Sequence, residues 1–457
     1  MRSLVILGTL IFVLGLSSVG MAETFEANLQ GAQEVPAVNS TATGYARVFI
    51  DEATGTLRFT VVFSGLSSNQ TASHIHAPGA IGVSTAVAIN FGAVGGTSGT
   101  ISGTTTVTPT QLAQIRAHLG YVNVHSTNFP GGEIRGQLGI KRPVDFDGDG
   151  REDLSILRFP TVNPPALAQA TYWNSNSTSG VFVANFGDAN TDFPIPGDYD
   201  GDGKDDLALY RTAGGAGANT VIFIFRSSDN TVQAFNFGLT GDRPVCRDYD
   251  GDGITDVAIF RPGATAGTQA QWWIRRSTTL SNLVIGFGTT GDGVNTGDEP
   301  IPGDYDGDGK FDLAVYRRGG LVPNNSFIIR RSSDSVVTYQ QFGDFNTDFV
   351  LPGDYDGDGK YDLAIARTGT LSTSPLVWWI LQSSNGQVRV QTFGRSSDTP
   401  VQGDYDGDAR ADIAVYRRGA TASAASTFWV WNSFTNAASA TNWGLGNDFA
   451  VNSFDAR

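Results

Sequence analysis

Apolar residues fall along this chain in short runs with the spacing of strands. Across Tyr45–Ile50 and Leu57–Phe63 apolar positions alternate with polar ones or run together, and Asp51–Gly55 reads as the turn between them. A period of two sends successive side chains to opposite faces of a strand. One helix is predicted over 109–119: Thr108 caps it, Pro109 suits its first turn, Gln111 completes a capping box and Gly120 stops it. From about residue 142 the pattern becomes a repeat, with units of 53, 50, 56, 50 and 50 residues. Each unit holds four apolar segments. A short strand such as Leu207–Tyr210 comes first, then an aromatic strand such as Trp272–Ile274, Trp378–Ile380 or Trp429–Trp431. The third segment ends in Phe-Gly, at Phe186-Gly187, Phe237-Gly238, Phe287-Gly288, Phe342-Gly343 and Phe393-Gly394, with Trp443-Gly444 as the last. The fourth reads Pro-Val-x-Gly or Ile-Pro-Gly. Four strands in about fifty residues is the size of a propeller blade. The expected fold is all-β, a β-rich first domain followed by a β-propeller of six four-stranded blades.

Polar residues carry the second signal. A nine-residue loop, Asp-x-Asp-Gly-Asp-Gly-x-x-Asp or nearly so, starts at Asp145, Asp198, Asp248, Asp304, Asp354 and Asp404. Carboxylates at positions 1, 3 and 5 of so tight a loop converge on one point. Position 6 is glycine except at Ala409, and glycine permits a left-handed turn. The carbonyl of position 7 points inward and position 9 completes an oxygen shell that suits calcium better than magnesium. The proposed ligands are Asp145, Asp147, Asp149, Arg151 and Asp153; Asp198, Asp200, Asp202, Lys204 and Asp206; Asp248, Asp250, Asp252, Ile254 and Asp256; Asp304, Asp306, Asp308, Lys310 and Asp312; Asp354, Asp356, Asp358, Lys360 and Asp362; Asp404, Asp406, Asp408, Arg410 and Asp412. Position 7 acts through its backbone carbonyl. Position 12 is apolar every time, from Ile156 to Val415, where an EF-hand would carry Glu. About six Ca²⁺ ions are expected. Five residues after each last loop aspartate stands an arginine: Arg158, Arg211, Arg261, Arg317, Arg367 and Arg417. These six are expected on the far face of the disc, either as an anion-binding ring or as clamps between blades.

The formal charge is −15, and loop positions 1, 3, 5 and 9 take 24 of the 45 acidic residues. Calcium would offset most of that charge, so the acidity asks for no basic partner and argues against nucleic acid. Arg2, the apolar run Leu4–Leu16 and Gly20-Met21-Ala22 read as a signal peptide over 1–22. No transmembrane segment is expected after its cleavage, and the address is secreted, extracellular or cell surface, with the periplasm as an alternative. The single cysteine, Cys246, excludes an intramolecular disulfide.

All four histidines precede residue 139. His74 and His76 share one strand face, and His125 can join them. Three imidazoles there would bind copper or zinc, or else form a hydrogen-bonded polar face; His118 on the helix is a poor fourth candidate.

Gly31–Ala37, His74–Gly79 and Tyr121–His125 with Pro130–Gln137 resemble the chordin-type (CHRD) domain, which places that domain at 23–139. The resemblance implies an extracellular, β-sandwich-like module. Residues 142–457 resemble FG-GAP/VCBS-type repeats and, through them, the calcium-loop propeller of integrin α subunits. That propeller has seven blades, so seven is the alternative here. Pro143-Val144 and Ala450-Val451 both align with a fourth strand, and one of them can close the ring. The resemblance implies a calcium-binding adhesion or scaffold protein with an extracellular protein or glycan as partner. Two alternatives stand beside it. One is a lectin holding sugar between blades on Trp272, Trp378 and Trp429. The other is a copper- or zinc-dependent redox role for the first domain. The propeller has no histidine and no Gly-x-Ser-x-Gly elbow, so the chain is read as no enzyme.

Overall fold

The computed structural model of the chain describes residues 22–454, apart from 52–53, 81, 117–118, 140–143, 149, 160–168, 178, 189–190, 213, 216, 292–296, 320–324 and 344–347. The apolar leader, the interdomain junction, Asp149 and His118 lie outside the described residues.

The first domain has strands β1 (Ala22–Gln30), β2 (Thr43–Asp51), β3 (Thr56–Ser64), β4 (Gln70–His76), β5 (Val87–Asn90), β6 (Gly99–Thr106), β7 (Tyr121–Ser126) and β8 (Ile134–Gln137). All belong to one antiparallel sheet in the order β5-β4-β7-β8-β1-β2-β3-β6. The sandwich-like expectation is met by one sheet curled into a half-barrel, not by two sheets face to face. Alternation drives the curl. On β3 every second residue is buried, and Leu57, Phe59, Val61 and Phe63 enter a single core with Val48, Ile50, Val122 and Val124. Helix α1 (Pro109–Arg116) adds Leu112 and Ile115 to that core. Its capping box is formed: Gln111 N–H donates to Thr108 Oγ1 at 3.2 Å and Thr108 N–H to Gln111 Oε1 at 2.9 Å.

The second domain is a ring of six four-stranded sheets. The first blade contains β9 (Leu154–Arg158), β10 (Gln169–Asn176) and β11 (Gly180–Asp188). The second is β12 (Asp192–Pro194), β13 (Leu207–Arg211), β14 (Asn219–Phe225) and β15 (Val232–Leu239), in that order from the axis outward. The other four repeat this pattern. The first blade takes its innermost strand from the other end of the chain: Phe449 pairs with Leu157 and Ala450 with Ile156. The ring therefore closes at six blades.

Each acidic loop joins the innermost strand to the second strand of the same blade, as β12 to β13. Contact between blades comes from apolar packing and from hydrogen bonds. Phe260, Trp272 and Phe287 of the third blade share a core with Leu313 and Val315 of the fourth. Trp272 Nε1–H donates to Phe287 O at 3.2 Å, and Trp378 Nε1–H to Phe393 O at 3.0 Å, which ties the aromatic strand to the Phe-Gly strand.

Deleting residues 446–457 removes the closing strand and bares the edge of β9. The loss is expected to be at least about 2 kcal/mol, roughly 3 °C in melting midpoint for a domain of this size. A melting curve that matches the full chain would show that closure is not what holds the ring.

Candidate functional site: the acidic loops of the propeller

Most polar groups of an acidic loop are held by a hydrogen bond. In the second loop Asp198 accepts the N–H of Gly201 at 2.6 Å on one oxygen and that of Gly203 at 2.9 Å on the other. Asp206 accepts the N–H of Tyr199 at 2.9 Å and that of Ser227 at 2.7 Å. The hydroxyls of Ser228 and Ser227, on the turn between β14 and β15, donate to Asp200 at 2.6 Å and Asp202 at 3.0 Å. The same hydroxyl pair recurs as Thr278 and Ser277, Ser333 and Ser332, and Ser384 and Ser383. The sequence reading missed these clamps, although the first serine stands 21 residues after the ninth loop residue in the second, third, fifth and sixth loops.

One set of oxygens is left over. Oδ1 of Asp250, Asp306 and Asp356, all at position 3, is buried without a hydrogen-bond partner among the described residues. The hydroxyl clamp holds the other oxygen of each, so Oδ1 is fixed in direction with nothing to meet it. Position 3 gathers with its neighbours into groups whose ligand oxygens lie within 4.8 Å of one another: Asp145, Asp147 and Asp153; Asp198, Asp200 and Asp206; Asp248, Asp250 and Asp256; Asp304, Asp306 and Asp308. Burial, and after it the neighbouring carboxylates, pushes Asp206, Asp256 and Asp312 up to about 7, and Asp362 and Asp412 up to about 8. A hard cation with oxygen ligands answers both the unmet oxygens and the crowded charge.

The loops also hold hands. The N–H of loop position 8 donates to the position-1 carbonyl of the preceding loop: Asp205 to Asp145, Thr255 to Asp198, Phe311 to Asp248, Tyr361 to Asp304 and Ala411 to Asp354, with Glu152 to Asp404 closing the circle, at 2.6–3.0 Å. This belt of six backbone hydrogen bonds runs around the ring.

The first domain sits on this face. The Arg47 guanidinium donates to Gly201 O at 2.9 Å and Gly253 O at 3.3 Å, and lies 3.6 Å from Asp198 Oδ2. The Gln30 and Gln33 amides donate to Asp406 O and Gly407 O of the sixth loop. The backbone of three loops thus carries the contact.

The arginine ring is corrected. Each arginine forks onto one aspartate: Arg158 onto Asp448, Arg211 onto Asp192, Arg261 onto Asp242, Arg317 onto Asp298, Arg367 onto Asp348 and Arg417 onto Asp398, with donor–acceptor distances of 2.6–3.0 Å. A guanidinium already bidentate to a buried carboxylate is no open anion site. The aspartate also accepts an N–H from the end of the preceding blade, as Asp192 does from Asp188 and Asp448 from Leu445. This explains Phe-Gly. Gly187, Gly238 and their equivalents have φ of 88–104°, and a Cβ there would press on that carboxylate. The clamp therefore ties each blade to the next. Its signal was legible, because the aspartate precedes its arginine by 19 residues in five blades.

His74, His76 and His125 do come together, with ligand nitrogens within 4.8 Å of one another. His74 is held down at about 4 by burial and then by the other two imidazoles. Of the three aromatics expected to hold sugar, Trp272 and Trp378 are fully buried in the blades and Trp429 is half-buried against the core. Inside the ring, a cavity of about 510 Å³ is lined by innermost-strand residues, among them Phe193, Pro194, Arg243, Pro244, Glu299 and Pro300. No helix among the described residues is long and apolar enough to cross a membrane.

Six sheets around one axis, each with an acidic loop clasped to the next, define a β-propeller scaffold with a half-barrel domain on its loop face. Residues 25–138 match the CHRD domain, and 248–315 and 354–415 match the FG-GAP-like repeat; the chain carries a CHRD domain followed by FG-GAP-like repeats. No curated protein matches it. Among solved structures it is similar to a chimera of apocarotenoid oxygenase and RPE65, at 12% identity and a TM-score of 0.36 over 72% of this chain and 85% of that one. It is also similar to a mutant of Synechocystis apocarotenoid oxygenase, at 10% identity and a TM-score of 0.33 over 93% and 90%. The reading of the chain as no enzyme is corrected on this finding, since both structures are of oxygenases. At these TM-scores the likeness carries no activity, substrate or cofactor to this chain.

Two outcomes follow from the loop and clamp geometry. Ala409 holds φ at 68°, where the equivalent glycines sit, and a left-handed alanine costs roughly 1–2 kcal/mol. Ala409→Gly is expected to raise the melting midpoint in calcium; an unchanged midpoint would mean that the loop relaxes without cost. Arg317→Gln leaves Asp298 buried and unpaired, and is expected to destabilise by about 2 kcal/mol, allowing for the partial exposure of the arginine. Adding Asp298→Asn should recover part of that loss in denaturant titration. A double variant worse than the single would contradict the clamp.

Proposed function

We propose that the chain is a secreted or cell-surface calcium-organised scaffold, whose propeller presents a protein- or glycan-binding surface on the side away from the first domain. The unmet position-3 oxygens of Asp250, Asp306 and Asp356 carry this reading. With calcium bound, the carboxylates at positions 1, 3, 5 and 9 and the position-7 carbonyls of Arg151, Lys204, Ile254, Lys310, Lys360 and Arg410 supply the oxygen shell. The sixth loop is the weakest site, since the Arg410 guanidinium already forks onto Asp408. Calcium there is structural. It stiffens the loops whose backbones form the belt and receive Arg47, Gln30 and Gln33. Extracellular calcium is plentiful enough to fill weak sites, which suits an exported protein. Because the first domain covers part of the loop face, a partner reaches the opposite channel mouth and the outer blade edges. Phe193 and Arg243, both exposed, stand at that channel.

Chelation with EGTA is expected to lower the melting midpoint sharply, since binding to the folded state alone adds about 2.7 kcal/mol per site at a hundredfold excess over Kd. Asp306→Ala should lower it in part. The pH dependence has a sign. Without calcium, the folded loops hold protons that an unfolded chain releases, because their aspartates sit at about 7–8, above the ordinary value. The chelated fold therefore loses stability as pH rises through that window, whereas with calcium acid competes with the ion and the slope reverses. Melting curves indifferent to EGTA at every pH would contradict the proposal.

A further inference from the structure

We propose that the face of the first domain carrying His74, His76 and His125 is a site for a divalent transition metal held by imidazole, with copper(II) preferred over zinc. This goes beyond the calcium reading and does not depend on it.

The strands set the cluster. β4 and β7 pair with His74 beside Asn123 and Ala72 beside His125, which brings the three rings to one patch. Their tautomers are fixed from outside. A peptide carbonyl can only accept, so the Pro130 carbonyl, 2.9 Å from His125 Nδ1, keeps the proton on that nitrogen. The Thr85 carbonyl, 2.8 Å from His76 Nδ1, does the same there. A neutral ring then carries its lone pair on Nε2. Metal-binding histidines are commonly oriented in this way, with the far nitrogen donating to a carbonyl.

The spacing fits an ion. His125 Nε2 lies 3.0 Å from His74 Nδ1. Two nitrogens bound at about 2.0–2.1 Å to one metal, at angles between square and tetrahedral, stand roughly 2.9–3.3 Å apart. An ion between these rings replaces the hydrogen bond with little movement. His76 Nε2 stands 3.1 Å from Asn123 Oδ1, and with the ring proton on Nδ1 both are acceptors, so no hydrogen bond holds them and the third ring joins once the amide oxygen turns aside. His76 and His125 are buried while His74 is half-exposed, which leaves a path to solvent and an open coordination position. The cluster contains no carboxylate, so a hard cation such as calcium is a poor competitor. Imidazole suits both copper and zinc, and divalent copper binds the tighter of the two at a given nitrogen site.

The test uses the full chain, stripped of transition metals and kept in excess calcium so that the loops stay filled. Copper(II) and zinc(II) are titrated separately by calorimetry, and the copper form is read by electron paramagnetic resonance. One equivalent of copper with nitrogen hyperfine structure is expected, bound more tightly than zinc. His125→Ala and His74→Gln should each weaken it at least about tenfold. Circular dichroism checks that both variants fold, and His74, being half-exposed, is the safer of the two. Copper binding absent from the native chain, or unchanged in both folded variants, would overturn the site. Zinc binding tighter than copper would overturn the preference.

Discussion

Repulsion among buried carboxylates is the constraint that the propeller is built around. Each acidic loop brings four aspartates into nine residues, and folding pushes them into one another's field and out of water. The fold meets that charge with backbone N–H groups at positions 2, 4 and 6 and with hydroxyls from the outer turn, as in the second loop. In the third, fourth and fifth loops an oxygen at position 3 is left with no donor among the described residues. The same loops join hand to hand through the position-8 N–H, so whatever settles the charge also settles the ring. Stability of the propeller and occupancy of its loops are in this account one question.

The strands, the helix and its capping box, the six blades and the closing strand were legible, because each rests on local periodicity or on a repeated register. Phe449–Ala450 closes the ring at the position where its alignment with a fourth strand placed it. The Pro-containing strand, counted fourth in a unit, is the innermost strand of the next blade, because the repeat looks the same whether units are cut before or after it. The anion ring failed for a different reason. Arg211 was judged by its distance from the loop and not by what lies across the ladder, where β12 sets Asp192 directly opposite. A constant offset of 19 residues encoded that pairing, but a contact between strands shows as an offset only when both partners are sought together. The serine clamps were hidden in the same way.

The two domains are less separate than their compositions suggest. Arg47, half-buried beside Glu26 and Tyr45, reaches carbonyls of the second and third loops, and the glutamines reach the sixth. The half-barrel thus rests on backbone whose path the loops determine. The proposed partner surface is on the opposite side, and the channel cavity lies between the innermost strands. The fully buried Trp272 and Trp378 are core residues and offer no platform for a sugar.

The most direct measurement is the calcium stoichiometry of the chelator-stripped chain by equilibrium dialysis. The account predicts about six ions per chain, with the sixth loop filling last and magnesium failing to displace calcium. Binding of no more than one ion, or equal displacement by magnesium, would contradict it.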